Sequence, residues 1–528
     1  MVSLVTGLLS STLWYTLYCI LGILAYAVIV LIIKPYLVYR RFKRFPNVYT
    51  SPSFRPLIGD VLDAIRDMKS DRAHYHNRRV IADDLQNYDM RLRYEGTEPV
   101  LLMVSSEAIE EFIKLTPMKI DRYNSNKGLS KLAGNTLSMI RSKKEYVGRR
   151  KLLMNELSLN SSSKYTPIMI DHTLSLIDEF QDGKQINLTP KFAELTHRIF
   201  TTILFGKVCD DLVNDKIPYE HPDGRIEYLH IRDALLNLSK AYYMHLLHPL
   251  TNMFRFVSDY KLLNPFKRDH KNLTNYEDAM RKIFYKAKGP DSICGRILSN
   301  TDFSENDKFF DIMMLIFGGT ETSSHGILSS LYFLKKHPET HTKLVKELQD
   351  NGVTKEFILS QKDSESGRKF LDIIQDCDYL NCCIKEVLRI DSPTVEVFHY
   401  SALDDITIRD VQIPKGTIMR TEIHSVHYME KYWKDPSVFK PERHNPDSDF
   451  FNQSKTEGKP YNHFIKGSFG HGTRTCPGQT FAMIELKVIL AVLLTFMDYE
   501  IDEESITQEG VGFAIGSACI LAPKIMLK

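Results

Sequence analysis

One short stretch of the chain, residues 469–478, sets a narrow limit on how its surroundings can fold. It holds Cys476 in a loop with glycines at positions 470, 472 and 478, just ahead of an apolar run that begins at Phe481. Glycine adopts backbone conformations barred to other residues, so a bulky group can lie close to the main chain. Unpaired backbone N–H groups near a helix start lower the pKa of a thiol. The pattern predicts a thiolate that acts as a nucleophile or a soft metal ligand; the alternative is a buried structural cysteine beside a helix cap.

The spacing within this loop favours the metal ligand. Five residues follow the order Phe-x-x-Gly-x-Arg-x-Cys-x-Gly, from Phe469 to Gly478. This order resembles the haem-binding loop of the cytochrome P-450 family, the haem-thiolate monooxygenases. The resemblance implies that Cys476 is the proximal iron ligand, that Arg474 pairs with a haem propionate, and that Phe469 packs near the sulfur. A thiolate ligand donates electron density to haem iron and favours O–O cleavage.

Composition and charge exclude several other classes of protein. The 528 residues are 43% hydrophobic and 25% charged, which is typical of a globular protein able to bury a large core. A net charge of +2 argues against general nucleic-acid binding. The eight cysteines form no CxxC pair and no zinc-like spacing. We therefore expect a reducing compartment and mostly inert thiols.

The N-terminus is apolar enough to be a membrane anchor. Residues 1–33 contain no charged side chain, and the apolar run from residue 13 is long enough to cross a bilayer core of about 30 Å. A cleaved signal peptide has a basic start and a shorter apolar run. Because basic residues follow the span, we expect residues 1–45 to form a single-pass anchor and residues 46–528 a cytosolic haem-thiolate monooxygenase domain at the endoplasmic reticulum. A buried core helix is the alternative. The basic flank consists of Lys34, Arg40, Arg41, Lys43 and Arg44.

The periodicity of the remaining chain predicts the fold class. Most of it repeats with the period of a helix, and short strands are predicted near residues 90–104, near 397–413 and at the C-terminus. We predict a mainly α protein with a small β region, the cytochrome P-450 fold. Residues 241–266 are rich in aromatics, histidine and methionine. Ordinary core and a lid over the substrate channel that touches the membrane fit this composition equally well.

A second run, upstream of the cysteine, combines an apolar helix with a polar interruption. Residues 309–317 carry one charge, Asp311, so this helix is predicted to be buried on nearly all sides. Residues 318–323 then bring two glycines, which cost about 1 kcal/mol each in a helix, and a polar cluster that is costly to bury. They resemble the family's groove over the iron, in which Thr322 would hold bound dioxygen and Glu321 would relay protons. A close helix crossing is the alternative.

Three further positions resemble contacts to the haem propionates. Tyr146 and Arg150 lie four residues apart on a predicted helix, where the family usually has Trp-x-x-x-Arg, and tyrosine keeps a hydrogen-bond donor. His399 falls where many members carry arginine, and histidine can still donate a hydrogen bond. The alternatives are a solvated basic face for the pair and a core histidine for the third position.

Two more features of the resemblance concern the scaffold and the electron donor. Glu386, Arg389 and Arg443 match the family's Glu-x-x-Arg and Pro-Glu-Arg elements, which form a buried charge network behind the haem loop. His444 replaces the aromatic that usually follows, so we expect weaker packing there. Six basic residues are a candidate docking face for an acidic reductase. They are Lys143, Lys144, Arg149, Lys151, Lys431 and Lys434.

Taken together, the matches imply a haem-dependent monooxygenase. It would insert one atom of dioxygen into an apolar substrate, such as a fatty acid, a sterol or a xenobiotic, with electrons from an NADPH-dependent flavoprotein reductase. One alternative is a haem-thiolate peroxide isomerase or dehydratase, a class that tends to lack the acid–alcohol pair of Glu321 and Thr322. The other is a non-enzymatic haem-binding membrane protein. No residue pattern names the substrate.

Overall fold

The computed structural model describes residues 2–52, 54–60, 84–124, 132–180, 185–247, 266–364, 367–394, 398–459, 467–509 and 520–527. Helices make up most of these ranges, and the strands form small sheets. The predicted fold class, mainly α with a small β region, is confirmed. Of the aromatic-rich segment predicted at 241–266, residues 248–265 lie outside the described residues.

The helices lie along most of the chain and differ widely in length. The α-helices are α1 Val2–Val28, α2 Lys34–Phe42, α3 Ser106–Leu115, α4 Lys144–Glu156, α5 Leu159–Ser163, α6 Thr166–Asp178, α7 Leu188–Phe205, α8 Asp210–Val213, α9 Ile231–Leu247, α10 Phe266–Lys286, α11 Ile293–Ser299, α12 Glu305–Lys336, α13 Pro338–Asp350, α14 Lys355–Lys362, α15 Arg368–Gln375, α16 Asp378–Ile390, α17 Ile423–Tyr428, α18 Asp449–Thr456 and α19 Gln479–Phe496. A π-helical turn, Ile29–Ile33, joins α1 to α2.

The strands form one larger sheet and three small ones. They are β1 Val48–Thr50, β2 Met90–Glu95, β3 Glu98–Met103, β4 Ile120–Arg122, β5 Gln185–Asn187, β6 Lys216–Glu220, β7 Ile226–His230, β8 Tyr400–Ala402, β9 Ile406–Ile408, β10 Val411–Ile413, β11 Ile418–Thr421, β12 Tyr499–Glu509 and β13 Ile520–Leu527. The larger sheet has the order β1-β2-β3-β11-β8-β4. β12, β13 and β5 form a second sheet, while β6-β7 and β9-β10 are antiparallel hairpins.

Two described helices are long and apolar enough to cross a membrane, and their exposure separates them. The first spans Trp14–Phe42, and almost none of its apolar surface is buried. The second is α19, which is 67% buried and lies in the main core. An apolar helix covered by protein is ordinary core, whereas an uncovered one needs another apolar environment.

The longest core helix, α12, runs through the middle of the protein. Its first turn is capped by Ser304, whose hydroxyl accepts a hydrogen bond from the N–H of Asp307. Its last residue is Lys336, and Pro338 begins the next helix. Its C-terminal half is almost wholly buried against α7, α16 and α19. A helix enclosed in this way has little freedom to move, so the residues along it are held at fixed positions around any cavity beside it.

A buried carboxylate, Glu386 of α16, binds three basic side chains at once. Arg389 makes a bidentate pair with it at 2.8 and 2.9 Å, and Arg443 Nε lies 2.9 Å from its Oε1. The contacts predicted for this triad are present. His444, where we expected weaker packing, also lies 2.9 Å from Oε2 and completes the network. Burial alone would raise the pKa of Glu386, but the two arginines hold it well below its usual range.

Removal of this carboxylate should destabilise the fold strongly. Glu386→Ala leaves Arg389 and Arg443 buried without a charged partner, and we expect it to lower the free energy of unfolding by about 3–5 kcal/mol. Asp350→Ala is the control, since it removes one partner of the exposed pair with Lys346 and should cost less than about 1 kcal/mol. Urea unfolding of the detergent-solubilised protein measures both. Equal losses in the two variants would contradict the buried network.

Candidate active site

A cavity of about 320 Å³ lies between α12 and the loop that carries Cys476. It is also bordered by α3, α4, α7, β11 and the start of α19. Most of its lining is apolar and includes Phe112, Ile113, Leu153, Phe200, Met314, Leu315, Phe398 and Phe481. Polar side chains interrupt that lining, as is usual in small-molecule sites. Four of them are charged, namely Arg122, Asp311, Arg420 and Arg474.

The cysteine loop is held in shape by its glycines and by one backbone hydrogen bond. Gly470 and Gly472 have φ values of +76° and +61°, which side chains other than glycine adopt with strain. The Cys476 N–H donates to the carbonyl of Phe469 at 2.8 Å. α19 begins three residues after the cysteine, at Gln479. Phe469, predicted to pack near the sulfur, lines the same cavity as Cys476.

The side chain of Cys476 is exposed and borders the cavity. Burial raises its pKa, while the backbone N–H of Gly478 and the charge of Arg150 act in the opposite direction. The expectation of a lowered pKa near a helix start is therefore wrong for the metal-free thiol, because burial outweighs the helix terminus. A bound metal would deprotonate the thiol outright.

A turn of α12 forms another part of the cavity wall. Gly318, Gly319, Thr322 and Ser323 all line it. A Cβ added at Gly318 would meet nothing within 4 Å, so there is open space beside this glycine. A Cβ at Gly319 would lie 2.9 Å from the ring of Phe200, so that glycine permits the close packing of α7. The hydroxyl of Thr322 donates to the carbonyl of Gly318 at 2.6 Å.

Glu321 faces different surroundings from its neighbour Thr322. It is not among the residues that line the cavity, and its Oε1 is shielded without a hydrogen-bond partner among the described residues. Burial raises its pKa, and the charges of Arg232 and Lys240, both on α9, oppose that effect. The structure therefore places the predicted acid toward α9 and the predicted alcohol toward the cavity.

Tyr146, Arg150 and Arg474 meet in one cluster under the cavity. The guanidinium of Arg474 lies 3.7 Å over the ring of Tyr146. The Tyr146 hydroxyl donates to the carbonyl of Thr473 at 2.6 Å and accepts from Arg150 Nη1 at 3.4 Å. Of the three, Arg474 lines the cavity, whereas Tyr146 and Arg150 do not. Tyr146 and Arg150, the pair predicted on one helix, thus support the loop that carries Arg474 without lining the cavity.

Arg474 is mostly engaged by protein groups. It donates to Ser142 Oγ, to Asp121 Oδ1 and to the carbonyls of Leu137 and Ile140, at 2.6–3.2 Å. A guanidinium has five N–H groups, so one remains for a ligand. These bonds hold Arg474, two positions before Cys476, against β4 and against the segment that leads into α4.

His399 lies beside the cavity rather than in its wall. Its Nε2 is 3.1 Å from Glu95 Oε2, and Arg420 Nη2 donates to Glu95 Oε1 at 2.6 Å. Arg420 itself lines the cavity. Arg420 of β11 therefore reaches the cavity, while the predicted histidine lies beside Glu95, the carboxylate partner of Arg420.

Arg122 is a cavity residue that sequence reasoning missed. It lies at the end of β4, is almost wholly buried, and donates to the carbonyl of Phe398 at 3.0 Å. Its guanidinium lies 4.3 Å from the centre of the Tyr400 ring, and its buried Nε has no hydrogen-bond partner within the part of the chain that the structure describes. A buried cation with a spare donor suits an anionic group. No sequence motif marks Arg122. The only signal is that a charged residue stands in a short strand whose residues are all buried.

Arg149 and Asp311 form a second buried pair that the sequence did not reveal. The guanidinium binds both carboxylate oxygens of Asp311, at 2.7 and 2.8 Å, and so ties α4 to α12. The N–H of Leu137 donates to the same carboxylate at 2.6 Å. Burial raises the pKa of Asp311, and Arg149 opposes it. Arg149 is 1% exposed, so its predicted place on a reductase-docking face is wrong.

Comparison with known proteins identifies the family. The family model described as Cytochrome P-450 matches residues 52–515, which is most of the chain. The chain belongs to the cytochrome P-450 family. Cytochrome P-450 3A2 of Rattus norvegicus is 23% identical over 422 residues, covering 77% of this chain and 78% of the relative. Cytochrome P-450 3A5 of Homo sapiens is 24% identical over 413 residues (76% and 77%), and Cytochrome P-450 4F8 of Homo sapiens is 33% identical over 202 residues (38% and 34%).

The predicted family, fold and enzyme class are thereby confirmed. A cytochrome P-450 is an oxidoreductase that binds haem through a cysteine thiolate. The cavity fits such a flat, anionic group, because a thiol and a glycine with open space beside it both line the cavity, and the buried Nε of Arg122 has no hydrogen-bond partner among the described residues. The residues present can therefore hold the cofactor that the family requires.

The buried pair between α4 and α12 can be tested against an exposed partner of the same arginine. Asp311→Asn leaves the charge of Arg149 buried with weaker compensation, and we expect a loss of about 3 kcal/mol in the free energy of unfolding. Glu145→Gln removes the half-exposed carboxylate that lies 2.9 Å from Arg149, and we expect a loss below about 1 kcal/mol. Chemical denaturation of the haem-loaded variants gives both values. A larger loss for Glu145→Gln would contradict the assignment.

Proposed function

We propose that this cytochrome P-450 inserts one atom of dioxygen into an apolar substrate at the endoplasmic reticulum membrane. A flavoprotein reductase would supply the electrons from NADPH. The observation that carries this proposal is that Cys476 and Thr322 line a single cavity whose lining is otherwise mainly apolar. Such a cavity would bind an apolar molecule beside the cofactor and keep bulk water away from it.

In this proposal Cys476 is the proximal ligand of the haem. When bound, the haem supplies the redox-active iron at which dioxygen is reduced. The spare N–H groups of Arg122 and Arg474 would bind the propionates, since charge-assisted bonds from guanidinium to carboxylate are strong. Tyr146 and Arg150 would support Arg474 from behind, and His399 would act through Arg420 rather than on the propionate itself.

Proton delivery falls to the two adjacent residues of α12. The Thr322 hydroxyl donates to a helix carbonyl, so its lone pairs remain for a hydrogen bond from a group in the cavity. Glu321 has a raised pKa and holds its proton closer to neutral pH than an ordinary carboxyl does. Because it lies toward Arg232 and Lys240, we assign it to the outer end of the relay and Thr322 to the inner end.

The apolar helix at the N-terminus supports a membrane location. Residues 1–45 would form the anchor and its basic flank, and residues 46–528 the cytosolic haem-thiolate domain. Of the proposed reductase-docking face, Lys143, Lys144 and Lys151 are exposed on or next to α4. The other two lysines of this face each lie beside a carboxylate. Lys431 lies near Glu107, and Lys434 pairs with Glu457.

Reconstitution with a reductase tests this function. The full-length haem protein is combined in lipid vesicles with an NADPH-dependent flavoprotein reductase and a panel of fatty acids and sterols. We expect substrate-stimulated NADPH oxidation and a product that carries one atom from labelled dioxygen. Conversion of organic hydroperoxides with no requirement for NADPH would instead support a peroxide isomerase or dehydratase.

The same assay tests Thr322 through two matched variants of α12. Thr322→Ala removes the hydroxyl that lines the cavity, and we expect product per NADPH to fall by about tenfold while peroxide rises. Thr320→Val is the control, because Thr320 is buried on the same helix but does not line the cavity. Unchanged coupling in Thr322→Ala, or equal uncoupling in both variants, would remove Thr322 from the relay.

A further inference from the structure

A small side cavity adjoins the main cavity and has a buried hydroxyl in its wall. Its volume is about 30 Å³, and Thr136, which is 1% exposed, belongs to its lining. The Oγ1 of Thr136 forms no hydrogen bond with any residue that the structure describes. Met314 and Phe398 line both cavities, so the two spaces meet at these side chains.

The lining of the side cavity is neutral and, apart from Thr136, apolar. Leucine, methionine and phenylalanine side chains make up most of it, and no charged side chain borders it among the described residues. The arginines and the aspartate that line the main cavity are not part of this lining. An ion placed in such a space would lose its hydration without gaining a partner. The side cavity therefore excludes carboxylate and ammonium groups.

The backbone on both sides of Thr136 is fixed by buried charged groups. The carbonyl of Asn135 accepts a hydrogen bond from Arg149 Nη2 at 2.8 Å. The N–H of Leu137 donates to Asp311 Oδ1 at 2.6 Å. Because both neighbours of Thr136 are held in this way, its hydroxyl stays in the wall of the side cavity and needs little ordering when a ligand binds.

The size and polarity of the side cavity favour one oxygen atom of a larger apolar molecule. A buried hydroxyl that lacks a partner destabilises the folded protein, so a partner supplied by a ligand adds affinity. A water molecule would fit the volume but needs roughly two to four polar partners, and Thr136 is the only polar side chain among the described residues of this lining. A hydroxyl or carbonyl group suits it better, because the carbon atoms attached to that group contact the apolar part of the lining.

We propose that the side cavity binds one neutral oxygen of the substrate and that the hydroxyl of Thr136 is its hydrogen-bond partner. The substrate is then an apolar alcohol or ketone. Its oxygen-bearing end lies beside Thr136, and the rest of the molecule fills the main cavity. The flexible side chain of Met314 turns aside to admit that end. This inference rests on the proposed function, since it names the class of substrate for the same site.

Binding of matched probes to the ferric, full-length haem protein tests this class of substrate. Dodecanol, the corresponding methyl ketone, dodecane and dodecanoate have similar carbon chains and differ in the oxygen that they carry. The change in haem absorption gives the dissociation constant of each probe. Thr136→Val keeps the shape of the side chain but removes the hydroxyl. We expect it to weaken binding of the alcohol and the ketone roughly tenfold, because their oxygen loses its buried partner, and to leave binding of the hydrocarbon and the carboxylate unchanged. Thr136→Ser should bind all four probes like the wild type.

The stability of the substrate-free haem protein gives a second readout that needs no probe. Thr136→Val replaces an unpartnered buried hydroxyl by a methyl group, so we expect the urea midpoint of unfolding to rise. Thr173→Val is the control. Thr173 is also fully buried, but its hydroxyl donates to the carbonyl of Met169 at 2.6 Å, and the loss of that bond should lower the midpoint. An unchanged or lower midpoint in Thr136→Val would show that Thr136 has a partner in the substrate-free protein and would overturn the proposal.

The outcomes separate this inference from the proposed function. If Thr136→Val loses affinity for the alcohol and the ketone but the reconstituted wild type forms no product from NADPH and dioxygen, the proposed function fails and the assignment of the side cavity stands. If oxygen insertion occurs but Thr136→Val binds all four probes like the wild type, the assignment fails and the proposed function stands. A loss of affinity that extends to the hydrocarbon or to Thr136→Ser refutes the assignment as well, and so does the absence of any spectral change with the alcohol and the ketone in the wild type.

Discussion

Most of the charges buried around the cavity are paired within the protein, and the other contacts of the cavity depend on this pairing. An unpaired charge in a low-dielectric interior costs several kcal/mol, so an arginine buried with a carboxylate partner fixes the position of that partner. Arg149 and Asp311 join α4 to α12, and Arg474 and Asp121 join the cysteine loop to β4. The Glu386 network joins α16 to the segment that precedes the cysteine loop. The walls of the cavity are therefore fixed by ion pairs between elements that are distant in sequence.

The same constraint gives buried carboxyls different chemistry in one molecule. Glu386, with two arginines, stays ionised and structural. Asp311, with one arginine, has a raised pKa but keeps its bidentate partner. Among the described residues, Glu321 and Glu485 have no hydrogen bond to an arginine, and burial raises the pKa of both. Burial without a directly bonded arginine thus shifts these two carboxyls toward the neutral form.

Short-range patterns in the sequence were sufficient to predict the fold class and to predict which candidate site residues share a loop or a helix turn. The cysteine loop and residues 318–323 of α12 could be predicted because their glycines and polar groups are costly unless a ligand lies beside them. That both line one cavity follows from the tertiary packing of α12 and not from either pattern. The N-terminal helix was also predictable, since an uncharged run of that length has few alternatives.

Long-range pairing was not predictable in the same way. Arg149 belongs to a basic run that reads as a solvated surface, and its burial depends on Asp311, 162 residues away. Arg122 and Arg420 reach the cavity because short strands of the larger sheet end there, while His399 lies just outside and binds Glu95. The raised pKa of the Cys476 thiol was not predictable either, because burial outweighs the local effect of the helix start.

The absorption spectrum of the reduced protein with carbon monoxide tests the role of Cys476 most directly. The wild type should show the Soret band of a thiolate-ligated haem. Cys382→Ser, which changes a buried cysteine of α16 away from the cavity, should show the same band. Cys476→Ser should lose it. Retention of the thiolate band in Cys476→Ser, or its absence from the wild type, would contradict the assignment of Cys476 as the iron ligand.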